Sequence, residues 1–429
     1  MKKIVLMVAA LGAVITTYAQ ERVVTPKSLA YSKAYGERDS IKGRELAVQF
    51  LKDYPVATTD PKADKAGYIE YHKIYNKVLP VPAKDMNKNV AQYINEMPFI
   101  ALVDFYYHRI TLYNMHKIEA PATILERSEL LVKKMPSFKD QAPKEYSDLS
   151  ADAWKQKYER AYYEMLLTHL HLLHSVGRDA AALPFATDAN TYYKYKVSSL
   201  NDDHVQILLA NGKKEKAQEV LETAVKNNQA TPQMLVMLKE NYIAAHKSDQ
   251  GFDNYLAGLK DKTVQASMEE HIRKEFIKKE IPEFTVYDVN GKKVNSKDWI
   301  GKTVVLDFWA SWCVPCKAAF PGMQLAKERL ASQTDVVFYF VAVHEHKPGY
   351  KNEIQKFLTD KKYPFTVLFD GFDDDKSSEE ATTKLGVGAI PHKMILDKNG
   401  LLRFSMMGYY GSPSQLADEI VMMVNMAKQ

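Results

Sequence analysis

The stretch DFWASWCVPCKAAFP, Asp307 to Pro321, holds Cys313 and Cys316, the only two cysteines among 429 residues. Two thiols two residues apart can form a staple, supply half of a metal site, or act as a dithiol/disulfide couple. A zinc site needs two further ligands, and no second C-x-x-C or paired-histidine motif supplies them. A staple across a two-residue gap adds little to a chain of this size, which leaves redox chemistry. The neighbours agree with it: Trp312 precedes the pair, Pro315 lies inside it, Lys317 follows, and Pro321 stands where it would kink a helix. Asp307 comes six residues before Cys313, and Ile390-Pro391 about 75 residues after it. At the first turn of a helix Cys313 would meet unpaired backbone N–H groups and the positive end of the dipole, both of which stabilise a thiolate. Moving a thiol from about 8.5 toward 7 takes only about 2 kcal/mol, within reach of one helix end and one hydrogen bond. Cys313 is therefore the expected nucleophile. Cys316, one turn in and more shielded, would attack Cys313 to resolve a mixed disulfide. No cofactor beyond the Cys313–Cys316 disulfide is required.

The elements that must position this pair follow from the pattern around it. From Ile281, IPEFTVYDVNGKKVNSKDWIGKTVVLDFW carries strand-like runs with an Asn290-Gly291 hairpin signal. Past the cysteines come a helix to Leu330, the strand VVFYFVAV, a helix around EIQKFLTDKK, the strand FTVLF, a helix near EEATTKLG, the pair IPHKMILD and LLRFSMMG, and a last helix from Ser412. Strands alternating with helices and closed by a hairpin predict an α/β domain over residues 280–429. Residues 20–279 read instead as helix after helix, with apolar residues at spacings of three and four, as in Leu166, Leu167, Leu170 and Leu173. Val176-Gly177, Asn211-Gly212 and His246-Lys247 recur every 35 residues, and Leu221 to Leu256 repeats the interval. That period resembles degenerate tetratricopeptide repeats, with a generic stack of helix hairpins as the alternative.

On VVLDFWASWCVPCKAAFP, the FTVYDVNGKKV hairpin, the segment KNEIQKFLTDKKYPFTVLFD and LGVGAIPHKMILDKNG, the C-terminal third resembles the TlpA/ResA-like branch of the thioredoxin superfamily. These are extracytoplasmic thiol-disulfide oxidoreductases. The resemblance implies a central mixed sheet flanked by helices, with Pro391 as a cis-proline facing the disulfide and the Ile390 backbone pairing with substrate. It makes Asp307 the buried carboxylate that handles the proton of the resolving cysteine, and Trp312 the flank of the nucleophile. Relatives of this kind use a further carboxylate near the cysteines, for which Glu345 is the nearest candidate. His392 stands where thioredoxin has a threonine, and either tunes the cysteine or packs. The direction implied is reduction of client proteins, with electrons from a membrane thiol carrier. Val314-Pro315 between the cysteines fits a reductant, whereas a histidine there would favour an oxidising couple.

Residues 1–19 have the layout of a cleaved export signal: Lys2 and Lys3, an apolar run from Ile4 to Ile15, and small residues ending at Ala19. The mature protein is thus expected outside the cytoplasm, in the periplasm or cell envelope, without membrane insertion, since no later stretch reaches the roughly 20 apolar residues a span needs. Composition is that of a soluble chain, 46% hydrophobic and 26% charged. The net charge of +5 falls when Lys2 and Lys3 are removed, too weak a bias to point to nucleic acid. Three other features admit a sharper and a plainer reading. The tyrosines of FYYHR, YERAYYEM and TYYKYK are a binding groove or helix packing. His169, His171 and His174 are metal ligands or structural, and only the last two share a helix face. The acidic run Asp373 to Asp375 binds calcium or is a solvated loop. Competing functions are an oxidase or isomerase, or a helical binding module with an accessory redox domain. A peroxidase lacks its T-x-x-C, the positions reading Ala310-Ser311-Trp312-Cys313. The helical region is expected to restrict which clients reach Cys313.

Overall fold

The computed structural model describes residues 25–56, 60, 70–79, 88–345, 347–371, 379–409 and 411–429. The signal-like residues 1–19 and the acidic run Asp373 to Asp375 lie outside them. Contacts divide the chain into two compact units, Met1–Met165 and Leu166–Gln429. The first, where described, is helical, from Pro26–Gly36 to the first part of the long helix Ala151–Ser175. Of its tyrosines, Tyr106 is buried, shares a 2.7 Å hydrogen bond with Ser128 Oγ and donates to the Met165 carbonyl, whereas Tyr107 beside it is exposed. Trp154 lies edge-on to Phe99 and stacked on Tyr146.

The second unit joins helices and sheet. Its helical part runs through Asp179–Tyr193, Ser198–Ala210, Lys214–Lys226, Pro232–His246, Phe252–Leu259 and Lys262–Lys274. The 35-residue period has a backbone cause. Gly177, Gly212 and Lys247 all adopt positive φ, 75°, 72° and 59°, each just past the end of a helix, where the left-handed turn lets the next one reverse direction. Glycine meets that demand freely at two of the three positions; at the third a lysine accepts it.

The sheet has seven strands in the order β2-β1-β5-β4-β3-β6-β7. They are β1 (Thr285–Tyr287), β2 (Lys293–Asn295), β3 (Thr303–Trp309), β4 (Val336–Ala342), β5 (Val367–Phe369), β6 (His392–Leu396) and β7 (Leu402–Met407). β3, β4 and β5 run parallel, while β6 and β7 pair antiparallel, so the sheet is mixed. Every residue of β3 is buried, as its unbroken TVVLDFW run requires of a strand covered on both faces. Alternation then sorts its side chains. Val304, Leu306 and Phe308 join one core with Phe284 and Trp299, whereas Val305 and Trp309 join another with Cys313, Cys316, Phe320, Ile420 and Val424. Asp307 falls on this second, cysteine-bearing face.

The change of sequence pattern near Ile281 is real, since β1 begins at Thr285, but the packing unit does not divide at 279/280. Ile277 N–H donates to Arg403 O, and Lys279 exchanges two backbone bonds with Leu402, so the linker extends the sheet edge at β7. Ser412 Oγ donates to Asn228 O at 2.6 Å, and Ala230 N–H donates to Ser414 Oγ. Asp418, on the C-terminal helix Pro413–Ala427, is nearly buried between Lys260 and Arg329. These bonds tie the preceding helices to the sheet-bearing part, which a reading of pattern along the chain does not see.

Candidate active site

β3 ends at Trp309, and after Ala310 to Cys313 the chain enters the helix Val314–Arg329. Cys313 is its N-cap, its sulfur accepting from Cys316 N–H at 3.2 Å, with Pro315 in the first turn where its missing N–H costs nothing. The two sulfurs are bonded, with a Cα–Cα distance of 5.3 Å. Cys313 retains 3% exposure and Cys316 none, the order expected of an attacking and a resolving sulfur. Trp312 at 51% and Val314 at 40% exposure flank the disulfide with open apolar surface.

The Ile390–Pro391 peptide is cis. It leads directly into β6, whose His392 lies opposite Phe308 of β3, so Pro391 stands at the same sheet end as the cysteine loop. Ile390 is half-buried there, and Pro391 O accepts from Gly408 N–H at 2.7 Å. His392 points to the other core, lies edge-to-face with Phe308 at 6.4 Å between ring centroids and bonds Ser405 Oγ through Nε2 at 2.8 Å. Burial, and Lys393 beside it, hold its imidazole below the usual histidine range. Of the two roles open to His392, this placement matches packing.

On the sheet face that bears the cysteines, Asp307 is 1% exposed. Desolvation pushes its carboxyl above the usual aspartate range, and the attraction of Lys393 opposes this in part. Lys393 is the residue of β6 directly opposite Asp307, itself 2% exposed, with Nζ 3.5 Å from Oδ1. Neither group has a hydrogen bond among the described residues, so the pair is a long ion contact rather than a tight bridge. Sequence reading missed Lys393. Its signal was a single cation in the otherwise apolar IPHKMIL strand; its partner depends on strand register.

Glu345 lies in the loop after β4 and reaches the cysteine loop from the side. Ser311 donates to it twice, N–H to Oε1 at 2.5 Å and Oγ to Oε2 at 2.7 Å. It therefore fixes the segment before Cys313 rather than bonding a cysteine sulfur. Trp312 Nε1 donates to His344 O at 2.9 Å, and His344, at a positive φ of 54°, is held through N–H and Nδ1 by Glu379. Ser311, His344 and Glu379 also escaped sequence reading, because loop contacts leave no periodic trace. The Lys317 ammonium lies over Phe357, 5.0 Å from the ring centroid.

The histidines singled out above are engaged separately. His171 pairs with Asp203 and His174 with Asp179, while His169 is buried against Phe185. No group of three metal-ligating side chains occurs among the described residues. Nor is any described helix long and apolar enough to cross a membrane.

Residues 277–405 match the AhpC/TSA family model. Thiol-disulfide oxidoreductase ResA of Bacillus thuringiensis subsp. konkukian is 33% identical over 124 residues, 29% of this chain and 65% of that protein. Thioredoxin-like protein YneN of Bacillus subtilis is 26% identical over 122 residues, 28% of this chain and 66% of its own length. Among solved structures, a thiol:disulfide interchange protein of the thioredoxin family from Chlorobium tepidum is 21% identical. It covers 35% of this chain and 97% of its own, with a TM-score of 0.28. The chain spans less than two-thirds of the length of either of these two curated relatives. Its C-terminal segment is thus an AhpC/TSA thioredoxin-like domain homologous to the ResA-type proteins, preceded by a large helical region.

Proposed function

We propose that the protein is a thiol-disulfide oxidoreductase that works outside the cytoplasm and reduces disulfides of client proteins. The observation that carries the reading is the Cys313–Cys316 disulfide at the start of a helix, at the sheet end that holds cis-Pro391 and on the sheet face that holds buried Asp307. In the reduced protein the Cys313 thiolate attacks a client disulfide. One client sulfur leaves as a thiolate and takes a proton from solvent, and the other stays bonded to Cys313. Cys316 then gives its proton to Asp307 and attacks Cys313 Sγ; the enzyme disulfide forms, and the second client sulfur leaves and is protonated. Two electrons pass from the dithiol to the client. Trp312, Val314 and Pro315 offer exposed surface for the client chain, and the Ile390 backbone would pair with it. A membrane thiol carrier returns the electrons, and residues 1–19 direct export.

The test is the reduction potential of the pair in the mature protein, titrated against dithiothreitol or glutathione. A value near or below about −250 mV supports a reductase; one of about −120 to −180 mV assigns an oxidase or isomerase instead. For export, the mature N-terminus in a cell-envelope fraction should be Gln20. A chain retained in the cytoplasm with Met1 intact would refute it.

A further inference from the structure

The chain leaves β3, β4 and β5 side by side at one end of the sheet, where Val343 N–H donates to Trp309 O at 2.9 Å and Asp370 N–H to Ala342 O at 3.0 Å. The loop after β4 holds the two residues ahead of Cys313: Glu345 takes both donors of Ser311, and the His344 carbonyl takes Trp312 Nε1. His344 is itself anchored. Its N–H donates to Glu379 Oε1 at 2.6 Å, and its Nδ1 lies 2.8 Å from Oε2. A residue other than glycine at a φ of 54° persists only where its surroundings hold it there, and the Glu379 carboxylate does so at two points. Glu379 immediately precedes the helix Glu380–Leu385, in which the Ala381 and Thr382 N–H groups donate to the buried Asp370 carboxyl at 2.8 and 2.7 Å. A series of hydrogen bonds thus runs from a buried anchor at the end of β5 to an indole that is half in solvent.

We propose that His344 and Glu379 are positioning residues that select for polypeptide clients: they hold the Trp312 indole as a fixed wall beside Cys313, and so set how fast a disulfide within a polypeptide reacts relative to a small one. The inference rests on the reading above in which the client chain lies over Trp312. An exposed aromatic side chain has to settle into one position when another chain packs on it, and a ring that is already fixed removes that ordering cost from binding. The indole N–H also has its acceptor in the His344 carbonyl, so a client covers the ring without having to supply one. A small disulfide, with no chain to lay on the ring, gains nothing from either effect.

Trp312 is also its own reporter. The chain has four tryptophans, and Trp154, Trp299 and Trp309 are at most 4% exposed, so collisional quenching of fluorescence by acrylamide reads Trp312. Reduced full-length protein is mixed with insulin, a polypeptide disulfide, or with hydroxyethyl disulfide, a small one. Loss of the enzyme dithiol is followed by acid quench and alkylation, and the two second-order rate constants are taken as a ratio.

Glu379→Ala should raise the quenching constant and lower the ratio of insulin to hydroxyethyl disulfide by about three- to tenfold, the equivalent of one ordinary hydrogen bond. Glu379→Gln keeps an acceptor for His344 N–H and should restore most of both. Trp312→Ala should lower the ratio at least as far, and Glu379→Ala should add nothing to it. If Trp312→Ala lowers the ratio and Glu379→Ala does not, the positioning role is refuted, whatever the quenching, while the client surface stands. If Trp312→Ala leaves the ratio unchanged, the client does not lie on Trp312; that reading fails first, and the positioning role with it. Equal slowing of both disulfides by Glu379→Ala would make these bonds a support of the cysteine loop as a whole and would overturn the inference as well. Where Glu379→Ala unfolds, His344→Gly answers the same question, since it accepts the positive φ and removes only the ring. It should move quenching and ratio in the same directions, and an unchanged ratio refutes the proposal.

Discussion

Replacing Asp307 by asparagine should change how stability varies with pH, and the sign follows from burial. The carboxyl is 1% exposed, has no hydrogen bond among the described residues, and has Lys393 Nζ at 3.5 Å. Desolvation is the larger influence and raises its pKa; the Lys393 charge is the smaller and lowers it. A carboxyl whose folded pKa lies above its unfolded value of about 3.9 binds its proton more tightly in the native state. Its contribution to stability is complete below pH of about 4 and is lost as pH rises toward the folded pKa, by at most about 1.4 kcal/mol per pH unit for one proton. Asparagine has nearly the same shape and does not titrate. The difference in unfolding free energy, wild type minus Asp307→Asn, should therefore fall at about that slope from just above pH 4 and level off where the native carboxyl ionises. Urea midpoints with the disulfide intact, taken from pH 4.5 to 8.5, measure it. All other titratable groups are common to both proteins and cancel in the slope, while the cost of leaving Lys393 without its counter-charge enters as an offset. A flat difference would refute the reasoning. A difference that rises with pH would show that Lys393 outweighs burial and depresses the carboxyl.

Three further outcomes follow from the geometry. Cys316→Ser should accumulate a covalent Cys313 adduct with disulfide substrates, visible by mass spectrometry, whereas Cys313→Ser should form none; an adduct on Cys316 instead would reverse the assigned order. Glu345→Ala removes both acceptors of Ser311 and should cost about 1–3 kcal/mol in urea unfolding, with Glu345→Gln recovering part of it. A loss below about 0.5 kcal/mol would mean that these bonds do not hold the cysteine loop. Asp418→Ala leaves Lys260 and Arg329 facing each other beside an emptied, nearly buried position. Both cations are partly exposed, so the cost should fall somewhat below the 3–5 kcal/mol of a fully buried broken pair, about 2 kcal/mol. Unchanged proteolysis at the 226–260 helices would argue that this bridge does not dock them.

What the sequence determined by itself lies in short-range pattern. The C-x-x-C with its helix-capping position, the unbroken run of β3, the hairpin ahead of it and the Ile390-Pro391 step are each encoded within a few residues, because capping, alternation and turn chemistry act at that range. The 35-residue period was equally legible, since Gly177 and Gly212 mark turns that need positive φ. Tertiary structure decided whatever depends on which distant segments meet. Lys393 became the partner of Asp307 through the register of β3 against β6, 86 residues apart by their numbering. Glu345 came to Ser311 through the crossover from β3 to β4, and Asp418 to Lys260 across 158 residues. The extent of the packing unit belongs to the same class. Composition changes at Ile281, yet the helices before it bury their faces and satisfy their polar groups against the C-terminal helix, and burial follows contact in space rather than the order of the chain.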